Sequence, residues 1–397
     1  MARRIMLERL DQQPPDALLA LIKLHAADQR TDKIDLGVGV YRDADGGTPV
    51  FRAIKQAEAA LVEKQDSKSY LGPEGDMGFV EALMPYVFGK DPTRGRRIAG
   101  MQTPGGTGAV RLAVALAKQA GVRRVLMGTP SWPNHAQILA DVGLEVVSFP
   151  HANADGSADV EALLAALSDA NEWDAVLLHG CCHNPTGVDY TNDEWDRIAA
   201  AVKDSGVFAI VDTAYQGLGH GLEEDAYGTR TMVDALPEAL IAYSCDKNFG
   251  MYRDRVGALY MMVEHPDQID TVTSNANALA RAAWSMPPDH GAAAVRLILR
   301  DGDMTQAWLD ELASMRQRIN SVRERLAAAD NDVPSLNLAA LKEQNGLFAM
   351  LPLSKDQIAA LREDHAIYMA GSGRINVAGL TMGNVEKFID ALKAVTA

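Results

Sequence analysis

Short apolar runs alternate with helical patterns through the middle of the chain. Residues 175–179, 208–212 and 240–243 are rich in Val, Ile, Leu and Ala, which predicts buried β-strands. Residues 191–203, between the first two runs, carry apolar side chains at helical spacing: Trp195, Ile198, Ala199 and Val202. Strands that alternate with helices indicate an α/β fold whose mostly parallel sheet is covered on both faces.

The two ends of the chain differ from this middle part. Residues 313–397 are rich in helical patterns and contain a few strand-like pieces, such as 374–378. We therefore predict a large domain over residues 46–312 and a smaller α/β domain that combines residues 1–45 with 313–397. The length of 397 residues is sufficient for two domains.

Composition and charge narrow the class of protein. The chain is 47% hydrophobic and 23% charged, which is ordinary for a soluble globular enzyme. Its net charge of -15 argues against nucleic acid or an anionic membrane as a partner. The sequence has three cysteines, no apolar run long enough for a membrane span and no signal-peptide pattern at its N-terminus. We therefore expect a cytoplasmic protein.

One lysine stands where an apolar strand is predicted to end. Lys247 follows the apolar run 239–243, and Arg255 lies eight residues further on. A lysine that leaves a buried strand can lose its proton and attack a carbonyl group, and an arginine is a fixed cation suited to a phosphate. Pyridoxal 5′-phosphate (PLP) has both an aldehyde and a phosphate, so the pair favours this cofactor. For this segment alone, a surface lysine after a core strand is the alternative.

Two further segments follow predicted strands, at the edge where open α/β sheets bind ligands. Gly105–Ala109 opens a predicted helix that runs to Gln119, and its backbone N–H groups form a potential anion site. Its glycine spacing is not that of a nucleotide or dinucleotide loop. Asp212 ends a buried strand, where a carboxylate needs a cationic partner. A pyridinium nitrogen would be such a partner; the alternative role for Asp212 is a helix cap.

A third segment, 179–187, contains two histidines and two cysteines and raises the question of a zinc site. In an extended strand, positions 179, 181 and 183 face one side and Cys182 faces the other, which is poor geometry for four ligands. We therefore expect no metal.

A fourth segment holds Trp132 between two prolines, so that its ring can stack on an aromatic cofactor; a core tryptophan is the alternative.

Taken together, these motifs resemble those of the class I aminotransferases, in the branch that holds aspartate and aromatic-amino-acid aminotransferases. The lysine segment 244–257 is similar to the family pattern S-x-S-K-N-x-G-x-Y-x-x-R-x-G, and 179–187 is similar to H-x-x-x-H-N-P-T-G. The resemblance covers the chain from about residue 28 to 380. It implies the PLP-dependent transferase fold of type I, with a mostly parallel seven-stranded sheet in the large domain.

The resemblance also implies a set of cofactor-binding residues. Lys247 would bind PLP covalently and act as the general base, Asp212 would hold the ring nitrogen protonated, and Tyr215 would bind the 3′-oxygen; these three are the predicted catalytic residues. His135 would stand behind Asp212. The other predicted cofactor contacts are Trp132 on the ring, Asn184 at the 3′-oxygen, and Gly106, Thr107, Ser244, Arg255 and Tyr70 at the phosphate.

For the substrate, the resemblance implies that Arg374 binds the α-carboxylate and that Arg281 reaches from the partner subunit to a side-chain carboxylate. Gly39, in the strand-like segment 36–42, Trp132 and Asn184 complete the predicted substrate site. Tyr70 would likewise serve the partner's phosphate site, so the resemblance implies a homodimer with shared active sites.

The implied activity is transfer of the amino group of aromatic amino acids, and of aspartate, to 2-oxoglutarate by a ping-pong mechanism. A dedicated aspartate aminotransferase is the alternative, followed by a PLP-dependent lyase or decarboxylase and by a protein that only binds PLP. Two residues depart from the family's phosphate site, because Gly105 and Asp246 stand where serines are usual. We expect Asp246 to pair with Arg253 or Arg255, and Asp246→Ser to tighten cofactor retention.

Overall fold

A computed structural model describes residues 7–12, 17–90 and 96–397. Its centre is a seven-stranded sheet in the order β2-β8-β7-β6-β5-β3-β4, in which only β8 runs antiparallel to its neighbours. The prediction of a mostly parallel seven-stranded sheet is confirmed. The strands of the sheet are β2 (Ile98–Pro104), β3 (Arg124–Thr129), β4 (Glu145–Pro150), β5 (Asp174–His179), β6 (Phe208–Thr213), β7 (Ala239–Ser244) and β8 (Val256–Met262).

Helices cover both faces of this sheet. Within the described residues the α-helices are α1 (Ala17–Ala27), α2 (Arg52–Lys64), α3 (Met77–Phe88), α4 (Gly105–Gln119), α5 (Pro133–Val142), α6 (Val160–Ser168), α7 (Asn192–Ser205), α8 (Tyr227–Ala235), α9 (Ile269–Ala283), α10 (Asp289–Arg300), α11 (Gly302–Ala327), α12 (Lys355–His365) and α13 (Val385–Thr396). The predicted helix over 191–203 is α7, which Thr191 caps. Residues 105–108, three of which are glycines, are the first turn of α4 rather than a turn before it.

Successive residues of the central strands belong to different cores. Leu177 and Ile210 pack in the core under α4, whereas Leu178 and Val211 pack in the core on the opposite face. Because side chains alternate along a strand, a sheet buried on both faces needs apolar residues at every position. This is why the strands read as continuous apolar runs in the sequence.

The sheet brings distant parts of the chain to one edge. The parallel strands β3, β5, β6 and β7 end at this edge, and so does β2. Because β8 is antiparallel, its first residue rather than its last lies there, directly after Arg255. Residues that follow five strands and precede a sixth therefore surround one space.

The chain ends pair with each other. The short strand β1 (Ile34–Asp35) lies parallel to β10 (Ile367–Tyr368), and β9 (Phe348–Met350) lies antiparallel to β11 (Arg374–Asn376). The division into domains at residues 45 and 313 stays a prediction. The expectation of a strand over 36–42 is wrong, because β1 ends at Asp35 and the following residues, Gly39 among them, form bends or irregular backbone. Among the described residues, no helix is long and apolar enough to cross a membrane.

Candidate active site

A cavity of about 290 Å³ opens at the edge where the strands end. Every predicted site residue lines it except Tyr70 and Arg281: Gly39, Gly106, Thr107, Trp132, Asn184, Asp212, Tyr215, Ser244, Lys247, Arg255 and Arg374. Its wall also includes Leu18, Val38 and Phe348. Among the described residues, the charged groups on the wall are three basic side chains, Lys247, Arg255 and Arg374, and two carboxylates, Asp212 and Asp246.

Lys247 lies half-buried at the floor of this cavity, three residues beyond the end of β7. Burial lowers the pKa of its ammonium group from the ordinary value, against the opposing effect of the nearby carboxylates Asp246 and Asp212. Its Nζ lies 5.3 Å from the centre of the Tyr215 ring. A lysine with a lowered pKa has a larger neutral fraction, which is the form that can attack a carbonyl or take a proton.

Asp212 is held by a buried histidine. Its Oδ2 lies 2.8 Å from Nε2 of His135. The N–H group at this nitrogen therefore donates a hydrogen bond to the carboxylate. Nδ1 of His135 then accepts from Ser131 Oγ at 3.0 Å, and Ser131 in turn accepts from Nε2 of His179 at 3.1 Å. The prediction that His135 stands behind Asp212 is confirmed.

The row of rings continues beyond His179. The ring centre of His183 lies 4.2 Å from that of His179, and His151 stacks on His183 at 3.5 Å. Burial lowers the pKa of His179, His183 and His151, the last to about 4. Sequence reasoning did not single out Ser131 or His151 for the site. Ser131 precedes Trp132 in the segment that was identified, whereas His151 carried no local signal.

The predicted geometry of the histidine and cysteine segment needs correction. Strand β5 ends at His179, and residues 180–182 form a bend in which Cys182 has φ = 51°. Cys181 and Cys182 lie with Asp225, and one ligand atom from each of the three is within 4.8 Å of the others. The two oxygens of Asp225 already accept backbone N–H groups from Gly217 and from residues 219–221. The histidines are not part of this group.

The N-terminus of α4 forms one end of the cavity, with Gly106, Thr107 and Ser244 on its wall. A Cβ atom added at Gly106 would lie 2.8 Å from Cβ of Ser244, so only glycine fits against β7 here. Arg255 lies beside them and pairs with Asp246 through Nη1 and Oδ2. Of the two predicted partners of Asp246, Arg255 is therefore the one found, and Arg253 is not.

Arg374 lies at the other end of the cavity, at the start of β11. Its Nη2 donates to the carbonyl oxygen of Gly37 at 2.9 Å, and its guanidinium lies 4.5 Å from the centre of the Phe348 ring. Within the described part of the chain, its buried Nε has no hydrogen-bond partner, and neither does Oδ1 of Asn184. Because buried polar atoms are normally paired, these two groups are available to a ligand. Gly37 and Phe348 were missed by the sequence analysis.

Tyr70 and Arg281 do not join the other predicted residues in this chain. Tyr70 is 94% exposed. Arg281 lies near the end of α9 and is also exposed, and its Nη1 donates to Ser285 Oγ at 2.7 Å. Both roles were predicted to serve a partner subunit, and they stay predictions.

The residues in the cavity fit PLP. A half-buried lysine with a lowered pKa suits the aldehyde, and the carboxylate of Asp212 suits a protonated ring nitrogen. The side-chain amide of Asn184, also on the wall, has an N–H group that suits a ring oxygen. The helix N-terminus with Arg255 suits a phosphate. Trp132 is on the wall, next to the ring of His135 at 5.0 Å between centres.

Known proteins resemble this chain over nearly its whole length. A tyrosine aminotransferase of Rhizobium meliloti is 47% identical over 94% of this chain and 96% of its own. An aspartate aminotransferase of Escherichia coli is 40% identical over 98% of this chain and 100% of its own. The structure of an aromatic-amino-acid aminotransferase from Burkholderia pseudomallei, covalently bound to pyridoxal phosphate, has a TM-score of 0.96 at 32% identity, covering 99% of this chain and 100% of its own.

These likenesses agree with the sheet, the cavity and the lysine on the cavity wall. The sequence profile of the family described as aminotransferase class I and II matches residues 31–392. Enzymes of this family use PLP as their cofactor. The chain is therefore a PLP-dependent aminotransferase and belongs to the class I and II aminotransferase family.

Proposed function

We propose that this aminotransferase moves the amino group of aromatic amino acids, and of aspartate, to 2-oxoglutarate. The observation that carries the proposal is the arrangement of one cavity, in which half-buried Lys247 and buried Asp212 lie with Arg374, whose Nε has no partner among the residues that the structure describes. An arginine with free donors suits a carboxylate, which every amino acid and 2-oxo acid presents. Leu18, Val38, Trp132 and Phe348 supply apolar wall for an aromatic side chain.

When bound, PLP withdraws electrons from the α-carbon of the substrate, which makes the α-proton removable. We infer that Lys247 binds the cofactor covalently and, when released, takes that proton, because burial favours its neutral form. Asp212 would keep the ring nitrogen protonated, and the hydrogen bond from His135 would keep the carboxylate oriented. Tyr215 and Asn184 would donate to the 3′-oxygen.

The remaining cavity residues would position the two ends of the ligand. Gly106, Thr107, Ser244 and Arg255 would bind the phosphate, and Trp132 would cover the ring. Arg374 would fix the α-carboxylate next to Gly39 and Asn184, which places the α-carbon near Lys247. Carboxylate and phosphate would then be held at opposite ends of the cavity.

A dedicated aspartate aminotransferase is the second candidate, because the Escherichia coli relative carries that name and Arg281 offers a cation for a second carboxylate. The test is the rate of the first half-reaction with tyrosine, phenylalanine, aspartate and glutamate, followed by the cofactor's absorbance. Comparable or faster rates with tyrosine support the proposal, whereas conversion by aspartate and glutamate alone supports the second candidate. Release of ammonia or carbon dioxide in place of glutamate formation from 2-oxoglutarate would reveal a lyase or decarboxylase.

We further propose a cytoplasmic homodimer in which Arg281 and Tyr70 complete the partner's site. The test mixes two inactive variants, Lys247→Ala and Arg281→Ala, with aspartate as substrate. Because hybrids would contain one site that has both changes and one that has neither, about a quarter of wild-type activity should return in an equal mixture. The control mixes Lys247→Ala with Asp212→Asn, which line the same cavity of one chain, and should restore nothing. No activity in the first mixture would refute the shared site.

A further inference from the structure

Asp246 is a buried carboxylate inside the predicted phosphate site. It lies between Ser244, at the end of β7, and Lys247, and its side chain is 2% exposed. Its Oδ2 pairs with Nη1 of Arg255, and its Oδ1 accepts the N–H of Val256 at 3.2 Å. Both oxygens are therefore directed toward the start of β8. The guanidinium of Arg255 is thus already paired with the carboxylate of Asp246.

Gly105 supplies the space in which this pair sits. A Cβ atom added at Gly105 would lie 2.6 Å from Nη2 of Arg255 and 2.9 Å from Oδ2 of Asp246. Both distances are shorter than real Cβ contacts, so a side chain at 105 would displace the ion pair. Gly105 also has φ = 67°, in the left-handed region that favours glycine. The two departures from the family pattern, Gly105 and Asp246, are thus structurally linked. The carboxylate of Asp246 occupies space that a side chain at position 105 would need.

The charges of this unit oppose an anionic ligand. A phosphate monoester carries a charge of about −1.5 to −2 at neutral pH. Arg255, the cation nearest the N-terminus of α4 on the cavity wall, already faces a carboxylate. Burial raises the pKa of Asp246 above its ordinary value, while Lys247 and Arg255 oppose that rise. Asp246 also interacts electrostatically with Cys245 and Tyr252. Both side chains are neutral when protonated, so they add no charge beside its carboxylate.

We propose that Asp246, accommodated by Gly105, is an internal anion that competes with the cofactor phosphate for Arg255 and makes PLP exchangeable. The proposal rests on the proposed role of Arg255 at the phosphate. It assigns Asp246 a positioning role toward the cofactor rather than a step in catalysis. A like charge within a few ångströms of a partly buried phosphate weakens binding strongly, by about tenfold or more.

The primary test is titration of the apoenzyme with PLP, followed by absorbance of the bound cofactor, for wild type, Asp246→Asn and Asp246→Ser. Both variants should lower the Kd for PLP by about tenfold or more and slow cofactor release, because both remove the competing charge. The control is Asp267→Asn, which removes one negative charge from an exposed residue of a 3₁₀ helix outside the cavity and should leave Kd unchanged. Equal or weaker binding by both Asp246 variants would overturn the proposal and make Asp246 a support for Arg255.

A second test examines the coupling of Asp246 to Gly105. Gly105→Ser should weaken PLP binding in the wild-type background, because the new side chain meets Arg255 and Asp246. In the Asp246→Ser background the same change should weaken binding at least threefold less, since the carboxylate is gone. If Gly105→Ser weakened PLP binding equally in both backgrounds, residues 105 and 246 would not compete for the same space.

A third measurement uses inorganic phosphate as the ligand of the apoenzyme, by calorimetry, and needs no covalent bond to Lys247. Tighter phosphate binding by Asp246→Asn than by wild type supports competition at Arg255, and equal binding refutes it. If wild-type apoenzyme takes up no PLP at all, the proposed cofactor site itself is wrong. If wild type takes up PLP and the variants gain nothing, only the role of Asp246 is wrong.

Discussion

Arg374→Lys removes a planar guanidinium and keeps its charge, so it tests whether this residue binds the α-carboxylate. One nitrogen of Arg374, Nη2, is engaged by the carbonyl of Gly37, while Nε is buried with no partner. The ring of Phe348 holds the guanidinium plane from one side. A lysine ammonium cannot reproduce two parallel hydrogen bonds to a carboxylate.

The expected size of the effect follows from the donors that are lost. Hydrogen bonds to a charged group contribute about 1.5–3 kcal/mol each, and a bidentate contact contains two. Since lysine keeps one charged contact, we expect the loss of one such bond, about 1.5–3 kcal/mol, or roughly 10-fold to 150-fold in kcat/KM. Phe348→Leu keeps all donors but removes the ring that holds the plane, and should cause a smaller loss of about tenfold or less.

The assay compares each amino acid with the matching amine that lacks the α-carboxylate, for example tyrosine with tyramine. If Arg374 binds the carboxylate, the lysine variant should lose rate with tyrosine and change little with tyramine. A loss of similar size with both would show that Arg374 acts on the cofactor or on the fold. A change of less than threefold with tyrosine would refute a bidentate contact.

Two further predictions concern stability. Arg323 is 1% exposed and donates to the carbonyls of Leu341, Asn345, Gly346 and Phe348. Because Arg323→Met leaves these carbonyls without their donor, it should lower the free energy of unfolding by about 3–5 kcal/mol. Arg325→Met, which breaks a partly exposed pair with Glu386, is the control and should lose about 1 kcal/mol or less by urea unfolding at fixed protein concentration; equal losses would contradict the account. The pKa of His151 is lowered to about 4 by burial, so its contribution is fully present above pH 6.5 and is lost as the pH falls toward 4. His151→Gln should flatten this part of the pH–stability curve by up to about 3 kcal/mol relative to wild type, and superimposable curves would show that His151 does not titrate on unfolding.

Strand positions, the helix α7 and most residues at the cavity were predictable because their signals are local. A run of apolar residues predicts a buried strand whatever lies elsewhere, and the ends of parallel strands meet at one edge. Lys247, Asp212 and Gly106 follow or end such runs, so their convergence followed from the alternation of strands and helices. The resemblance to a family then supplied the expected role of each residue.

Contacts between segments distant in sequence were not predictable in this way. Phe348 and Gly37 reach Arg374 only because β9 pairs with β11 and because the N-terminal segment packs against the C-terminal one. His151 directly follows the C-terminal end of β4. The ring that it stacks on, His183, is 32 residues away in the sequence. Such contacts depend on strand order, which local periodicity does not encode.

The sequence by itself determined the α/β class, the lysine beyond one strand end, the aspartate at another strand end, and the two departures from the family pattern at positions 105 and 246. Only the tertiary structure decided that Asp246 pairs with Arg255 rather than Arg253, and that the space for this pair comes from Gly105. The physical reason is that β8 runs antiparallel and begins at the edge where β2 and β7 end. This places Gly105, Asp246 and Arg255 against one another although up to 150 residues separate them in the chain.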